Sequence, residues 1–435
     1  MLLFLLYSLL TAPLPGMLPA GVDEPRDSAA AARHPLRAAG LTISVNAAMS
    51  LFDRAFLPDP CYKSDWNNIC NNFHSDWVWD NDGFYRNQLG HPVQGAMYYN
   101  AARMSGLGYW GGGLATVLGS VSWELLCETD PPSINDLLTT TAGGMAVGEV
   151  LWRLYHLTGK RKPVDFPFRI SAGVGAWGLT GIRSTGTDMA AGARALLDVE
   201  YGDPFDTWNR RPYDWFTLTL RAGLGSGNTS GIQNVGIIGL LYGWPLRTAS
   251  GNDMLVGLFQ HFNYFDSPGM DISESSSFGP GIVMRFKDGK GNPNTEFQAH
   301  AGAILMGGIQ SDYYNVLERT YNMSGGFSLH GRVSHNWGKT VAASLRYDCY
   351  QLYTAKEYDQ SFLDGGGDPL LLDAQGNKMT SHMDIIRMQA DIRCSDCLTI
   401  RIEPGLICRR SRYAYHPDIF RSYADLTLGI CWQIR

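Results

Sequence analysis

The chain has 435 residues, with 35 Lys and Arg against 41 Asp and Glu and a formal net charge of −6. That balance leaves no basic footprint for nucleic acid. Charged residues make up only 17%, aromatics reach 12%, and there are 50 glycines and 12 tryptophans, a composition that fits a β-rich membrane barrel better than a cytosolic enzyme.

Residues 1–20, MLLFLLYSLLTAPLPGMLPA, are an apolar run of secretory length broken at Pro13 and Pro15 and ending in small residues. They predict a signal peptide and export. Residues 21–90 read as a linker followed by an irregular periplasmic segment. In CNNFHSDWVWDNDGFYRNQLG the carboxylates of Asp76, Asp80 and Asp82 miss the ligand spacing of a Ca²⁺ loop, so a solvated loop or a segment lying across a surface is expected.

Residues 91–160 read as a Gly-rich helical domain. Pro92 suits a first helical turn, after which Tyr99 and Arg103 share a face at i and i+4. A second helix, LATVLGSVSWELLCE, carries Glu124 and Glu128 on one face and stops at Pro131-Pro132. Ser133 then caps a third helix, with Asp136 three residues on. Within it Thr140, Gly144 and Gly148 form a stripe of small residues that lets a neighbouring backbone approach closely. Glu149 follows among apolar residues, a helix-packing position rather than a surface one. Residues 104–123 carry no charge, but six glycines make them a poor membrane span.

Two readings fit the polar residues of this region. In one, His91, Arg103, Glu124 and Glu128 are catalytic: His91 or a glutamate is the base, and Arg103 stabilises developing negative charge on an envelope lipid or glycan. In the other they are ion pairs and caps that fix a helical hairpin, because buried ionisable groups must pair. No GxSxG, HExxH or P-loop motif accompanies them, and the sequence calls for no cofactor or metal.

From residue 166 the period becomes two. Phe166, Phe168, Ile170, Ala172, Val174 and Ala176 alternate with Pro167, Arg169, Ser171 and Gly173, and Ala424, Leu426, Leu428, Ile430 and Trp432 alternate with Asp425, Thr427, Gly429, Cys431 and Gln433. Arg387, Asp391, Arg401 and Glu403 alternate with Met388, Ile392, Ile400 and Ile402. About twelve such runs occupy residues 161–435. Charge on one face and apolar residues on the other predict an antiparallel transmembrane β-barrel of about twelve strands, with the N-terminal helical hairpin as a plug or brace. Of the eight cysteines, Cys61/Cys70 and Cys394/Cys397 are the local disulfide candidates in an exported chain.

The segments HPVQGAMYYNAARMSGLGYW and GSVSWELLCETDPPSINDLLTTTAGGMAVGEVLWRL, with the later RPYDWF, FQHFNYFDS and SDYYN, resemble a domain family of unknown function found in bacterial, often Bacteroidetes, envelope proteins. The resemblance implies an envelope barrel with a helical insert and brings no reaction or catalytic residue with it. The expectation is therefore a Gram-negative outer-membrane protein, in contact with the bilayer, with a structural or transport-related role. A barrel-embedded hydrolase or transferase is the alternative.

Overall fold

The computed structural model describes residues 33–434 except 58–59, 81, 159–167, 184–185, 207–210, 227–230, 249–250, 268–269, 314–320, 358 and 369–375; the export segment 1–20 lies outside the described residues. The chain divides into two compact units, Met1–Asp80 with Gly90–Phe166, and Asn81–Leu89 with Pro167–Arg435.

The first unit is helical. α1 (Pro35–Phe56) and α2 (Trp66–Asn72) occupy a stretch the sequence suggests is linker. The difference has a physical cause. The buried side of α1 is Ala38, Thr42, Asn46, Met49 and Asp53, while Leu36, Ile43, Leu51, Phe52 and Phe56 are exposed, so no apolar stripe marks a core-facing side. The start of α2 is held by Asp65, whose carboxylate accepts the backbone N–H groups of Asn67 (2.8 Å) and Asn68 (2.9 Å). There follow α3 (His91–Arg103), with Pro92 in its first turn, and α4 (Tyr109–Leu126). α5 (Ile134–Leu138) is capped by Ser133 and opens through a π-type turn at Thr139–Gly143 into α6 (Gly144–Thr158). Among the described residues, no helix is long and apolar enough to cross a membrane.

The second unit is a closed antiparallel barrel in the order β1-β12-β11-β10-β9-β8-β7-β6-β5-β4-β3-β2. The strands are β1 (Phe168–Arg183), β2 (Gly186–Tyr201), β3 (Phe216–Gly225), β4 (Gly231–Arg247), β5 (Asp253–Phe265), β6 (Ile272–Lys287), β7 (Pro293–Gln310), β8 (Tyr321–Trp337), β9 (Val341–Thr354), β10 (Met379–Arg393), β11 (Leu398–Tyr413) and β12 (Ile419–Ile434). At the near end, where β1 begins, the connections are mostly short, as at 248–252, 288–292, 338–340 and 394–397; at the far end they include 311–320 and 355–378, the latter holding a short helix, α7 (Gln360–Asp364). The eight cysteines are free, with Cys394 and Cys397 both exposed in the β10–β11 turn.

Register decides what each face carries. Val174 lies opposite Ile430, Ala176 opposite Leu428, and Gly178 opposite Leu426, so one slip would turn every apolar residue inward. As observed, Leu426, Leu428, Ile430 and Trp432 face out, with Leu428 52% exposed, whereas Asp425, Thr427 and Cys431 are buried inside. Exposed Tyr242, Trp244, Trp337 and Trp432 ring the near end, and Tyr353, Tyr415 and Phe420 the far end. From Phe420 to Trp432 is about 30 Å along the barrel axis for a strand tilted about 40°. Apolar side chains outside, charges inside and aromatic belts at both rims are the polarity of a wall built for hydrocarbon.

One stretch of wall has a second layer. Phe84 stacks on Tyr264 (centroids 5.2 Å apart) and meets the edge of Tyr321 (5.4 Å), and Gln88 accepts a hydrogen bond from Ser275 (3.0 Å). Residues 84 and 87–89 are buried against the wall, as a segment lying across a surface and not as a solvated loop. At the near end, Tyr213 adopts a left-handed backbone (φ 62°), which costs about 1–2 kcal/mol for a non-glycine residue. Its N–H donates to Leu240 O, its hydroxyl donates to Gln260 (2.9 Å), and its ring lies where a Cβ on Gly239 would come within 2.2 Å.

A barrel wall in hydrocarbon and one in water answer differently to charge. Leu428→Arg should cost about 2–4 kcal/mol of folding free energy in lipid vesicles, measured by denaturant titration. On a water-facing wall the same change would stay within about 0.5 kcal/mol.

Candidate functional site: an occluded polar lumen

Inward positions of β1–β3 and β10–β12 build an ionic lattice. Arg221 reaches Asp198 (Nη1–Oδ1 2.9 Å) and Glu403 (Nη2–Oε2 2.9 Å). Arg401 reaches Asp391 (2.8 Å) and also pairs with Asp198. Arg387 pairs with Asp425 (3.2 Å), and Arg194 binds Gln233 (2.7 Å) and Thr427 (2.8 Å) while stacking over Trp177. Four arginines thus meet four carboxylates, so the lattice is neutral overall. Paired charge of this kind survives burial where single charge would not.

The facing wall carries the second polar group. His330 lies between Asp348 (2.7 Å) and Glu274 (3.0 Å), with Arg346 on Asp348 (2.7 Å) and the Ser328 hydroxyl donating to Glu274 (2.7 Å). His261 and His300 meet edge-to-face near it, their centroids 5.7 Å apart. Neither ring has a protein hydrogen-bond partner at either nitrogen among the described residues. These two walls enclose a cavity of about 310 Å³ lined by Arg221, Arg401, Glu403, His300, His330 and Arg346. Near-end residues Arg169 and Gln433 also line it.

The far half of the lumen is apolar. Trp177, Leu179, Phe265, Ile272, Ile309, Tyr350, Leu352, Met383, Ile385, Ile407 and Tyr423 pack into one buried cluster contributed by the strands themselves. Above it the β7–β8 connection is tied to β11 and β12. Asp312 accepts from Arg409, Arg421 and the Tyr413 hydroxyl, and Tyr313 stacks on His416 (4.4 Å) and donates to Pro417 O (2.7 Å). The lumen is a polar vestibule closed at the far end by an apolar core and a loop latch.

The residues singled out by sequence lie in the helical unit, and each of the four candidate acid/base groups is engaged by a different partner. His91 Nε2 is 3.3 Å from Asp136 Oδ1. Arg103 binds Glu149 (3.1 Å) and stacks over Trp152. Glu124 accepts the backbone N–H of Ser133 (2.9 Å), and Glu128 accepts the indole N–H of Trp123 (2.6 Å). Glu149 is the hub: it also accepts from Arg153 (2.8 Å) and from the Tyr99 hydroxyl (2.7 Å). Burial, reinforced by the Glu149 charge, pushes the Tyr99 phenol well above its usual range, so the hydroxyl remains a donor. Asn135 adds the link between Asp80 and Asp136 (2.9 Å to each).

The small-residue stripe lies against α3. A Cβ on Gly144 would stand 2.6 Å from the Gly95 backbone, one on Gly95 would stand 1.9 Å from Thr140 O, and one on Gly148 would stand 2.8 Å from the Tyr99 ring.

Two glycines in helices of this unit should respond with opposite signs. Gly40→Ala, with nothing within 4 Å of the added Cβ, should stabilise the unit by about 0.5–1 kcal/mol, whereas Gly144→Ala should destabilise it by forcing backbones apart. Glu149→Gln should cost about 3–5 kcal/mol, because it strips the carboxylate from two buried arginines. Limited proteolysis rates of the helical unit read all three.

No curated protein matches the chain. Among solved structures, the KdgM porin is similar at 7% identity and a TM-score of 0.24, over 60% of this chain and 99% of that one. The outer membrane channel DcaP of Acinetobacter baumannii matches at 8% identity and a TM-score of 0.26, over 61% and 97%. The toluene transporter TodX of Pseudomonas putida matches at 8% and 0.24, over 61% and 89%. Residues 76–171, from the aromatic stretch before α3 through α6 to the start of β1, match the family described as a domain of unknown function, DUF3943.

Proposed function

We propose that the protein is an outer-membrane barrel of a Gram-negative envelope, exported by its N-terminal segment, which passes a small polar or ionic solute when its far-end closure is released. The observation that carries this reading is the division of the lumen. The near half holds a cavity of about 310 Å³ lined by neutralised charge, room for a small polar solute, and the apolar cluster follows it along the barrel. Buried ion pairs contribute little net stability compared with packed apolar residues, so their retention favours contact with a polar solute. The apolar cluster and the Asp312 latch then act as the gate. The latch is the part able to move without unfolding a strand, because it belongs to a loop.

Conductance across a planar bilayer tests this directly. The assembled wild-type protein should conduct weakly. Asp312→Ala, which frees Arg409 and Arg421 from their carboxylate, should raise both open probability and the permeation of small charged solutes. Met383→Gly with Ile407→Gly should widen the path further. Each variant is first shown to be assembled by its heat-dependent shift on electrophoresis. Assembled variants as impermeable as the wild type would sink the transport reading and leave a structural barrel.

A second arm addresses the lattice. Glu403→Gln removes one of four negative charges facing four arginines, so selectivity should move toward anions. Reversal potentials under a salt gradient report the shift.

A further inference from the structure

The outer wall carries a polar cluster that neither bilayer contact nor the lumen explains. On β9, Tyr347, Cys349 and Gln351 point outward, and on β10 so do His382 and Asp384; the register sets Cys349 opposite Asp384 and Gln351 opposite His382. The thiol sulfur, an imidazole nitrogen and a carboxylate oxygen of Cys349, His382 and Asp384 all lie within 4.8 Å of one another. They stand near the far rim, beyond the lipid-facing Ile386 and Met388, and His382 keeps 47% of its side chain exposed.

The hydrogen bonds around them orient this trio. His382 Nδ1 lies 3.3 Å from the side-chain amide oxygen Oε1 of Gln351. Its Nε2 faces Asp384 Oδ2 at 3.0 Å, so one carboxylate oxygen already stands beside the ring nitrogen. The other carboxylate oxygen of Asp384 is held by the Tyr347 hydroxyl at 2.6 Å. Imidazole and carboxylate each braced by an outer hydrogen bond is the arrangement found behind metal ligands.

We propose that Cys349, His382 and Asp384 bind a zinc-class divalent ion, with the fourth position open to the rim. Ligands 2.0–2.3 Å from a tetrahedral ion stand about 3.3–3.8 Å apart, so side-chain rotation of about 1 Å closes the observed trio onto it. Thiolate, imidazole and carboxylate together select zinc over magnesium or calcium, which prefer all-oxygen shells. On binding, the Cys349 thiol gives up its proton to solvent as the sulfur–metal bond forms, so affinity rises with pH.

Cobalt(II) is the probe, titrated into the full-length barrel in detergent. One equivalent should bind with a thiolate-to-cobalt charge-transfer band, and zinc should displace it. Cys349→Ser should abolish the band, Asp384→Asn should weaken binding, and Tyr347→Phe should weaken it about tenfold through the lost brace. Cys408→Ser and the double change Cys394→Ser with Cys397→Ser should retain the band, which separates this site from the neighbouring thiol and the exposed turn. Heat-shifted electrophoresis verifies that each variant is assembled. Absence of cobalt binding, a spectrum without the thiolate band, or a band that persists in assembled Cys349→Ser would overturn the proposal.

Discussion

The structure depends on closure of the backbone hydrogen-bond ladder around twelve antiparallel strands. A closed ring has no edge, so the backbone ladder of each strand is shared with a neighbour on both sides, and the outside can be largely apolar. Once the outside is apolar, the alternation of strand side chains sends the polar residues inward. The lumen then receives arginines and carboxylates that water cannot fully solvate, and they survive there only as pairs. The Arg221, Arg401, Asp198 and Glu403 lattice follows from the wall as much as from any function it serves.

That lattice also shapes the path through the barrel. Bonds such as Arg221 to Glu403, between β3 and β11, and Asn263 to Tyr350, between β5 and β9, cross the lumen and do not merely line it. Farther along, the inward residues change character and pack as an ordinary protein core from Trp177 to Tyr423. A polar half is able to hold solute, and an apolar half excludes it. Asp312, just past the end of β7, is tied to two arginines at that end, so the closing parts are concentrated there.

The helical unit repeats the inversion on a smaller scale. Glu149, Arg103, Arg153 and Tyr99 are buried together, as are Asn46, Tyr98 and Gln94, while Trp110, Leu114 and Leu118 stand exposed along one side of α4. Close glycine contacts between α3 and α6 add van der Waals packing to the small apolar cluster of Met49, Trp123 and Cys127.

The sequence by itself determined the strand pattern and a count of about twelve, because alternation of period two is a local property: that Leu428 and Thr427 take opposite faces is readable from their neighbours alone, while closure of the ring decided that Leu428 faces out. It also marked the Ser133 cap and the stripe at Thr140, Gly144 and Gly148, which depend on spacing along one helix. It did not mark α1, whose polar residues are the buried ones, nor the burial of Phe84. The candidate site was the least legible. Charged inward residues were visible one strand at a time, but which arginine meets which carboxylate depends on the radius and shear of the closed barrel. Residues as distant as Arg221 and Glu403, Asp312 and Arg409, or Cys349 and His382 become neighbours only when the ring closes. Their chemistry is therefore a property of tertiary structure, since local spacing carries no information about partners brought together across a lumen or between strands.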